Sequence, residues 1–570
     1  MANTLLDLFE KNHQLLEWRD KVTLLSRQLV MGFSGSSKAV VMASALSEQV
    51  PKILIVTSTQ NEAEQLTGDL SAILGEDKVY SFFADDVVAA EFIFASPEKT
   101  HSRLESLNFL MDKEASGVLV TSLVGTKLHL PNPKVYKDSR IDLTLGEEHD
   151  LEALSKHLTH IGYQRVEQVL SPGEFSRRGD ILDIYELTAE LPYRLEFFGD
   201  EIDGIRKFDS DSQKSLDNLE HVIVSPADDI ILTREDYQRA EKALESAVSK
   251  AEGPHKAYLE EVLSVTIDGY RHKDLRKFLS LFYDKAYTLF DYLPKGAPVF
   301  IDDFQKIVDR HGRLELEVSN LLTEDLHQGK SLSHLNYLVD SFKTLRNYQP
   351  ASFFSNFHKG LGNLKFDKLY QFTQYPMQEF FNQFPLLVDE IHRYTKNKAT
   401  VILQVGSEKQ LKSLKETLEE YDLDLPLSSL GDLIPHKPQL VLGNLSNGFY
   451  FADEKLVLVT EREIFHKKVK RRARASHVSN AERLKDYNEL EKGDYVVHQT
   501  HGIGQFKGIE TIEIKGVHRD YLTIQYQDAA TISLPVEQIE SLSKYVSADG
   551  KEPKINKLND GRFQKTKQKV

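Results

Sequence analysis

A chain of 570 residues is longer than one hydrophobic core organises, which calls for about three to five folding units. Its 71 basic against 87 acidic side chains leave a net charge of −16, a balance that repels a phosphate backbone and excludes autonomous, tight DNA binding. The absence of cysteine excludes disulfides, cysteine-ligated zinc, iron–sulfur clusters and a thiol nucleophile, and fits a reducing cytoplasm.

Residues 1–10 have no basic n-region and meet charge too early for a signal sequence. No uninterrupted apolar run approaches the ~20 residues of a membrane span, so a cytoplasmic chain with no membrane partner is expected. From Gln28 the pattern is strand, glycine turn, helix, strand. Gln28-Leu29-Val30-Met31 leads into a turn over 32–37, a helix over 38–49, and Ile53-Leu54-Ile55-Val56. A third strand, Val118-Leu119-Val120, ends in Thr121-Ser122, at the carboxyl end where α/β sheets place ligands. This is a nucleotide-binding architecture.

The turn Gly32-Phe33-Ser34-Gly35-Ser36-Ser37-Lys38-Ala39 comes close to the P-loop pattern through Gly32, Gly35 and Lys38 and fails at two positions. Ser37 stands where glycine lets backbone amides close on phosphate, and Ala39 stands where a hydroxyl holds Mg²⁺. A degenerate loop that holds neither nucleotide nor metal is expected. Downstream, the apolar Val299-Phe300-Ile301 ends in Asp302-Asp303, either a relic of a Walker B strand or simply a strand ending in solvated acids.

Between these halves, residues 142–226 read as a separate unit, a helical 151–162 followed by strands. Its core runs are Pro172-Gly173-Glu174-Phe175-Ser176-Arg177-Arg178-Gly179-Asp180-Ile181-Leu182-Asp183-Ile184-Tyr185 and Tyr193-Arg194-Leu195-Glu196-Phe197-Phe198-Gly199-Asp200-Glu201-Ile202. These resemble the second domain of the excision-repair protein UvrB, the domain that binds UvrA. The flanking P-loop and acidic strand end stand in the same order as in UvrB's first domain, so the resemblance spans roughly residues 5–311.

The resemblance implies a degenerate RecA-like, UvrB-like parallel α/β module, 1–141 and 227–347, interrupted by an α+β domain at 142–226. It carries UvrA-binding positions onto Arg165, Phe175, Arg178, Arg194 and Glu196, with Ser176 replacing an arginine of the UvrB pattern. Arginines there give bidentate ion pairs that set orientation and association rate. The residues alone also fit a charged, solvated strand face. Where UvrB carries a tyrosine-rich, lesion-inserting hairpin, residues 80–90 are short and acidic, so docking without damage verification is expected.

Residues 314–347 place apolar side chains (Leu316, Val318, Leu321, Leu322, then Leu335, Leu338, Val339, Phe342, Leu345) at helical spacing, predicting amphipathic helices packed on the neighbouring domain. Residues 348–463 read as another small α/β domain, with strands at 399–405, 439–442 and 456–460, a helix over 408–421 and no catalytic cluster. A basic run, Lys467 to Arg474, lies in a linker at 464–490, either a solvated helix or a contact for DNA or an acidic surface.

Over 491–548 apolar and polar residues alternate: Tyr495, Val497, Ile503 and Phe506, then Thr511-Ile512-Glu513-Ile514, Tyr521 to Tyr526 and Thr531 to Leu534. Turns are expected at Gly502, Gly504, Lys515-Gly516 and Gln527-Asp528, giving a small SH3/Tudor-like β-barrel. Pattern alone leaves a purely structural module open. The run 493–545 resembles the RNA-polymerase-interacting domain of the bacterial transcription-repair coupling factors. That implies pairing of a strand edge, Glu510-Thr511-Ile512-Glu513-Ile514, with the polymerase β subunit, Ile512 being the apolar contact. His498 and His501 have no third ligand placed by the sequence, so no metal site is assigned.

Residues 549–570 correspond in that family to a linker toward a DNA translocase. The resemblance therefore implies the N-terminal part of a longer protein, itself monomeric, binding RNA polymerase and UvrA. ATP, Mg²⁺ and most DNA contact would belong to the motor. Competing readings are an active helicase-like ATPase using Lys38 and Asp302, and a polymerase-binding regulator with no repair role.

Overall fold

The computed structural model describes residues 4–9, 12–93, 97–210, 212–355, 361–466, 492–498, 502–514, 517–527, 530–535 and 542–544. It divides into two units, Met1–Arg140 with Asp228–Ala475, and Ile141–Ala227 with Ser476–Val570. Among the described residues no helix is long and apolar enough to cross a membrane.

The first unit is built on an all-parallel sheet of seven strands. Their order is Lys368–Gln371, Arg27–Met31, Ala351–Ser355, Val299–Asp302, Lys52–Thr57, Gly117–Ser122 and Val79–Phe82. Lys52–Thr57 and Gly117–Ser122 are buried at every position, which is why they read as continuous apolar runs instead of alternating ones. Trp18, on the helix His13–Lys21, packs on Phe300 and Phe354 from this sheet, its indole N–H donating to Ser352 Oγ at 3.1 Å.

Three expectations change here. The boundary placed before residue 348 moves, because Ala351–Ser355 and Lys368–Gln371 complete the first sheet on either side of Arg27–Met31. The helix after the glycine turn spans Ser36–Ala43, not 38–49. Helix packing over 314–347 resolves into one long helix, Phe304–His327, and a short one, Phe342–Asn347. Leu314 and Leu345 are buried, whereas Leu316, about 200° round the helix from Leu314, faces solvent.

A second sheet of the same unit runs Gln374–Pro376, Phe449–Phe451, Leu456–Val459, Thr400–Val405, Pro438–Leu442 and Leu427–Ser428. The last four strands are parallel and the first two pair antiparallel. Helices Phe384–Lys396 and Glu408–Glu419 bury Leu387, Ile391, Leu414 and Leu418 against it.

In the second unit, Ile141–Thr144 pairs antiparallel with His221–Val224, framing an insertion. Its six-stranded sheet, in order Ser215–Leu219, Glu201–Phe208, Tyr193–Phe198, Ile181–Ile184, Glu174–Arg178 and Gln164–Arg165, shares one core with the helix Leu151–His160. A separate antiparallel sheet of five strands follows, in order Thr531–Pro535, Val517–Gln525, Gly502–Ile514, Tyr495–His498 and Leu542–Lys544. Val496, Phe506, Leu522, Ile524, Tyr526 and Leu534 form its core. Gly504, expected in a turn, lies mid-strand, where a Cβ would meet Ile524 Cγ2 at 2.6 Å, so the glycine serves close packing.

Candidate functional site

Gly32 at φ +95° and Gly35 at φ +56° turn the chain from Arg27–Met31 into Ser36–Ala43, as in a phosphate loop. Ser37 is fully buried, its Oγ accepting the Ser34 N–H at 3.0 Å and donating to the Ser34 carbonyl at 2.7 Å. An amide that would point at phosphate is thereby satisfied internally. Lys38 Nζ lies 2.6 and 2.8 Å from the two carboxylate oxygens of Asp302, a direct ion pair between the P-loop lysine and the acidic strand end.

Asp303 is a helix cap: at φ +54° it precedes Phe304–His327, and its Oδ1 accepts the Lys306 N–H at 3.4 Å. Lys306 Nζ in turn holds Glu62 at 2.8 Å. Burial pushes the Glu62 carboxyl up, but the hydrogen bonds from Lys306 and Ser58 outweigh it and leave it below its ordinary value. Each charge the sequence offered for nucleotide chemistry has a partner within the chain. The residues present do not fit a nucleotide with Mg²⁺: Ala39 has no hydroxyl for the metal, and the lysine and aspartate neutralise each other.

The insertion presents a different surface. Register aligns Ser176, Asp183, Arg194 and Arg206 across one row, and Arg178, Ile181, Glu196 and Gly204 across the next, all on the face turned away from the core. Asp183 is completely buried and holds two arginines, Arg178 at 2.8 Å and Arg194 through a fork at 2.7 and 2.9 Å. The Arg194 guanidinium also lies 4.4 Å above the Phe208 ring, and its bond to Asp183 raises its pKa above the ordinary arginine value. The Arg178 side chain is half exposed, Glu196 pairs with Arg206 at 3.1 Å, and Phe198 stands 82% exposed at the end of its strand.

Of the five positions expected on this surface, Arg178, Glu196 and the largely buried Arg194 come together. Phe175 does not: it is fully buried in the core beneath the helix, because strand alternation turns it opposite Arg178. Arg165 sits at the sheet edge in register with Phe175, on the other face. Ser176 is buried, donating to the Glu167 carbonyl at 2.8 Å. Phe198 was not among the expected residues, yet the pair Phe197-Phe198 within a strand requires one ring to face outward.

In the five-stranded sheet, among the described residues, Glu510 to Ile514 pair only with Val517 to Tyr521, Ile512 opposite Arg519. Tyr495–His498 covers Gly502 to Gln505 and Thr531–Pro535 covers Tyr521 to Gln525, so among the described residues the 510–514 segment keeps one unpaired backbone edge. The expected turn at Lys515-Gly516, the basic run Lys467 to Arg474 and His501 lie outside the described residues.

Comparison with known proteins agrees with this arrangement. Residues 141–229 match the UvrB interaction domain, 394–464 the MFD, D3 domain, and 490–546 the CarD-like/TRCF RID domain. The class is thus a multidomain α/β chain that carries a UvrB-type interaction domain and a polymerase-interaction-type sheet. The chain is 34% identical over 558 residues to the transcription-repair-coupling factor of Bacillus subtilis (strain 168), covering 96% of this chain and 47% of that protein. Identity to those of Staphylococcus haemolyticus (strain JCSC1435) and Staphylococcus aureus (strain bovine RF122 / ET3-1) is 31% and 30%, each over 552 residues, 95% of this chain and 47% of theirs. Over nearly all of its length the chain is similar to transcription-repair-coupling factors, and it spans about half the length of these relatives.

Proposed function

We propose that this chain is the adaptor region of a transcription-coupled repair factor, joining RNA polymerase stalled at a DNA lesion to the excision-repair protein UvrA. The observation that carries the reading is the charged face of the insertion. An exposed aromatic, Phe198, stands among Arg178, Glu196 and Arg206 on a rigid sheet, the composition of an anchor with an orienting polar rim. The second contact is the edge of residues 510–514 in an SH3/Tudor-like barrel, which adds a strand to the polymerase β subunit with Ile512 as its apolar contact. The first unit holds no ATP or Mg²⁺; these serve a translocase in the whole protein, which displaces the polymerase from the lesion. The chain acts as a cytoplasmic monomer.

Two pull-downs test this. Arg178→Ala with Phe198→Ala should weaken UvrA retention at least tenfold and leave polymerase binding unchanged. Ile512→Arg should abolish binding to an N-terminal fragment of the β subunit and leave UvrA binding unchanged, since a guanidinium unpaired at a buried contact costs several kcal/mol. Full retention by both variants removes both surfaces. Mg²⁺-dependent ATP hydrolysis that Lys38→Ala abolishes would refute the non-catalytic part.

A further inference from the structure

The degenerate phosphate loop touches more than itself. Asp69, buried on the helix Gln60–Leu74, accepts the Ser36 hydroxyl on Oδ2 at 2.9 Å. On Oδ1 it accepts both the N–H and the hydroxyl of Ser446, at 2.9 and 2.5 Å. Ser36 Oγ accepts the Asn447 N–H at 2.9 Å. A Cβ on Gly35 would stand 3.0 Å from Asn447 Cβ. Gln374 takes the Ser34 hydroxyl at 3.0 Å, and a Cβ on Gly32 would overlap the Phe372 carbonyl oxygen at 2.0 Å. Phe33 is buried with its ring 4.6 Å from Phe372 and 5.8 Å from Phe451. One hydrophobic cluster runs from Val30, Phe33 and Val40 through Phe372 to Val441, Leu445 and Phe449.

The segment seated there is itself held rigid. The Gly448 N–H donates to Glu463 Oε2 at 2.9 Å, the same carboxylate oxygen that caps the helix Glu461–Phe465 through Thr460. A Cβ on Gly448 would lie 2.6 Å from the Leu458 carbonyl oxygen. The contact therefore joins two braced elements.

We propose that the former phosphate loop has become the seat of the 445–448 segment, fastening the small α/β domain to the seven-stranded sheet. This segment and nucleotide phosphates are alternative occupants of the turn. The Ser36 hydroxyl and the Asp69 carboxylate supply acceptors to the peptide N–H groups of Asn447 and Ser446, where a working loop presents amide and lysine donors to an anion. It follows that the missing nucleotide residues can be put back without restoring nucleotide binding, because the seat stays filled.

Amide hydrogen exchange on the full chain tests the seat. Asp69→Ala, and separately Ser36→Ala in case the first variant fails to fold, should speed exchange at Ser446 and Asn447 at least tenfold while the amides of Leu29 to Met31 and Val401 to Leu403 keep their protection. Unchanged exchange at Ser446 and Asn447 in a folded variant overturns the proposal. Titration of Ser37→Gly/Ala39→Thr with a fluorescent ATP analogue and Mg²⁺ should give no saturable binding up to millimolar concentrations. Saturable binding with Ser446 and Asn447 still protected overturns the claim that the two occupants exclude one another.

Discussion

At the scale of single residues, Lys38 and Asp302 tie the glycine turn to the acidic strand end. Both are largely buried, 19% and 10% exposed, and each is the other's counter-charge. Truncating the lysine leaves a buried carboxylate uncompensated, so Lys38→Ala should cost about 3 kcal/mol in a urea melt, whereas Lys38→Met with Asp302→Leu should cost less than Lys38→Ala alone. Two histidines give the first unit a pH dependence. His129 is held below its ordinary pKa by burial, against which its hydrogen bond to the Asn336 carbonyl works, and His311 is lowered by burial and then by Lys127. Their folded-state pKa values lie below the unfolded value of about 6.5, so the unfolded chain takes up protons first. The stability they contribute is complete above about pH 6.5 and lost as the pH falls through their lowered values. Melting temperature should therefore drop between pH 7 and 5.5, and His129→Gln, which keeps a donor for Asn336, should flatten the slope.

At the scale of elements, the outer face of the insertion's sheet separates residues that hold it from residues left exposed. Arg194→Ala removes a bidentate partner of the fully buried Asp183 and should cost the insertion about 2 to 3 kcal/mol, while Arg178→Ala, half exposed, should cost below about 1 kcal/mol; thermal melts of the two variants compare them. The parallel strands Lys52–Thr57, Gly117–Ser122 and Val299–Asp302 were legible because burial on both faces leaves an uninterrupted apolar run. Lys368–Gln371 was not, since at the sheet edge only Tyr370 is buried and the run looks polar. Alternation in the insertion revealed two faces without saying which one the helix Leu151–His160 covers, and so Phe175 was expected outside and Phe198 passed over. The contact of the 445–448 segment with the glycine turn had no signature in sequence: Ser446 and Asn447 lie 410 and 411 positions from Ser36. Ser37 and Ala39 marked the departure from the phosphate-loop pattern, but nothing in the sequence placed Ser446 and Asn447 against that turn.

At the scale of the whole molecule, the order of the chain makes the insertion separable. Ile141 stands in register opposite Val224, so the segment enters and leaves between strands about 5 Å apart. Ile141, Leu143, Val222 and Val224 belong to the insertion's own core. Just past the exit, Asp229 is pinned between Arg103 at 2.9 Å and Arg276 at 2.5 Å, all within the first unit, so the downstream chain does not depend on the insertion for its position. Replacing residues 141–227 with a short Gly/Ser linker costs little closure entropy, because the ends already lie together. The shortened chain should keep a cooperative first-unit melt within a few degrees of the parent, lose UvrA binding and keep polymerase binding. Calorimetry and paired pull-downs read all three. Loss of the first-unit transition would mean that the two cores are coupled in a way the register does not reveal, and loss of polymerase binding would mean that the two docking surfaces are not the independent modules on which an adaptor depends.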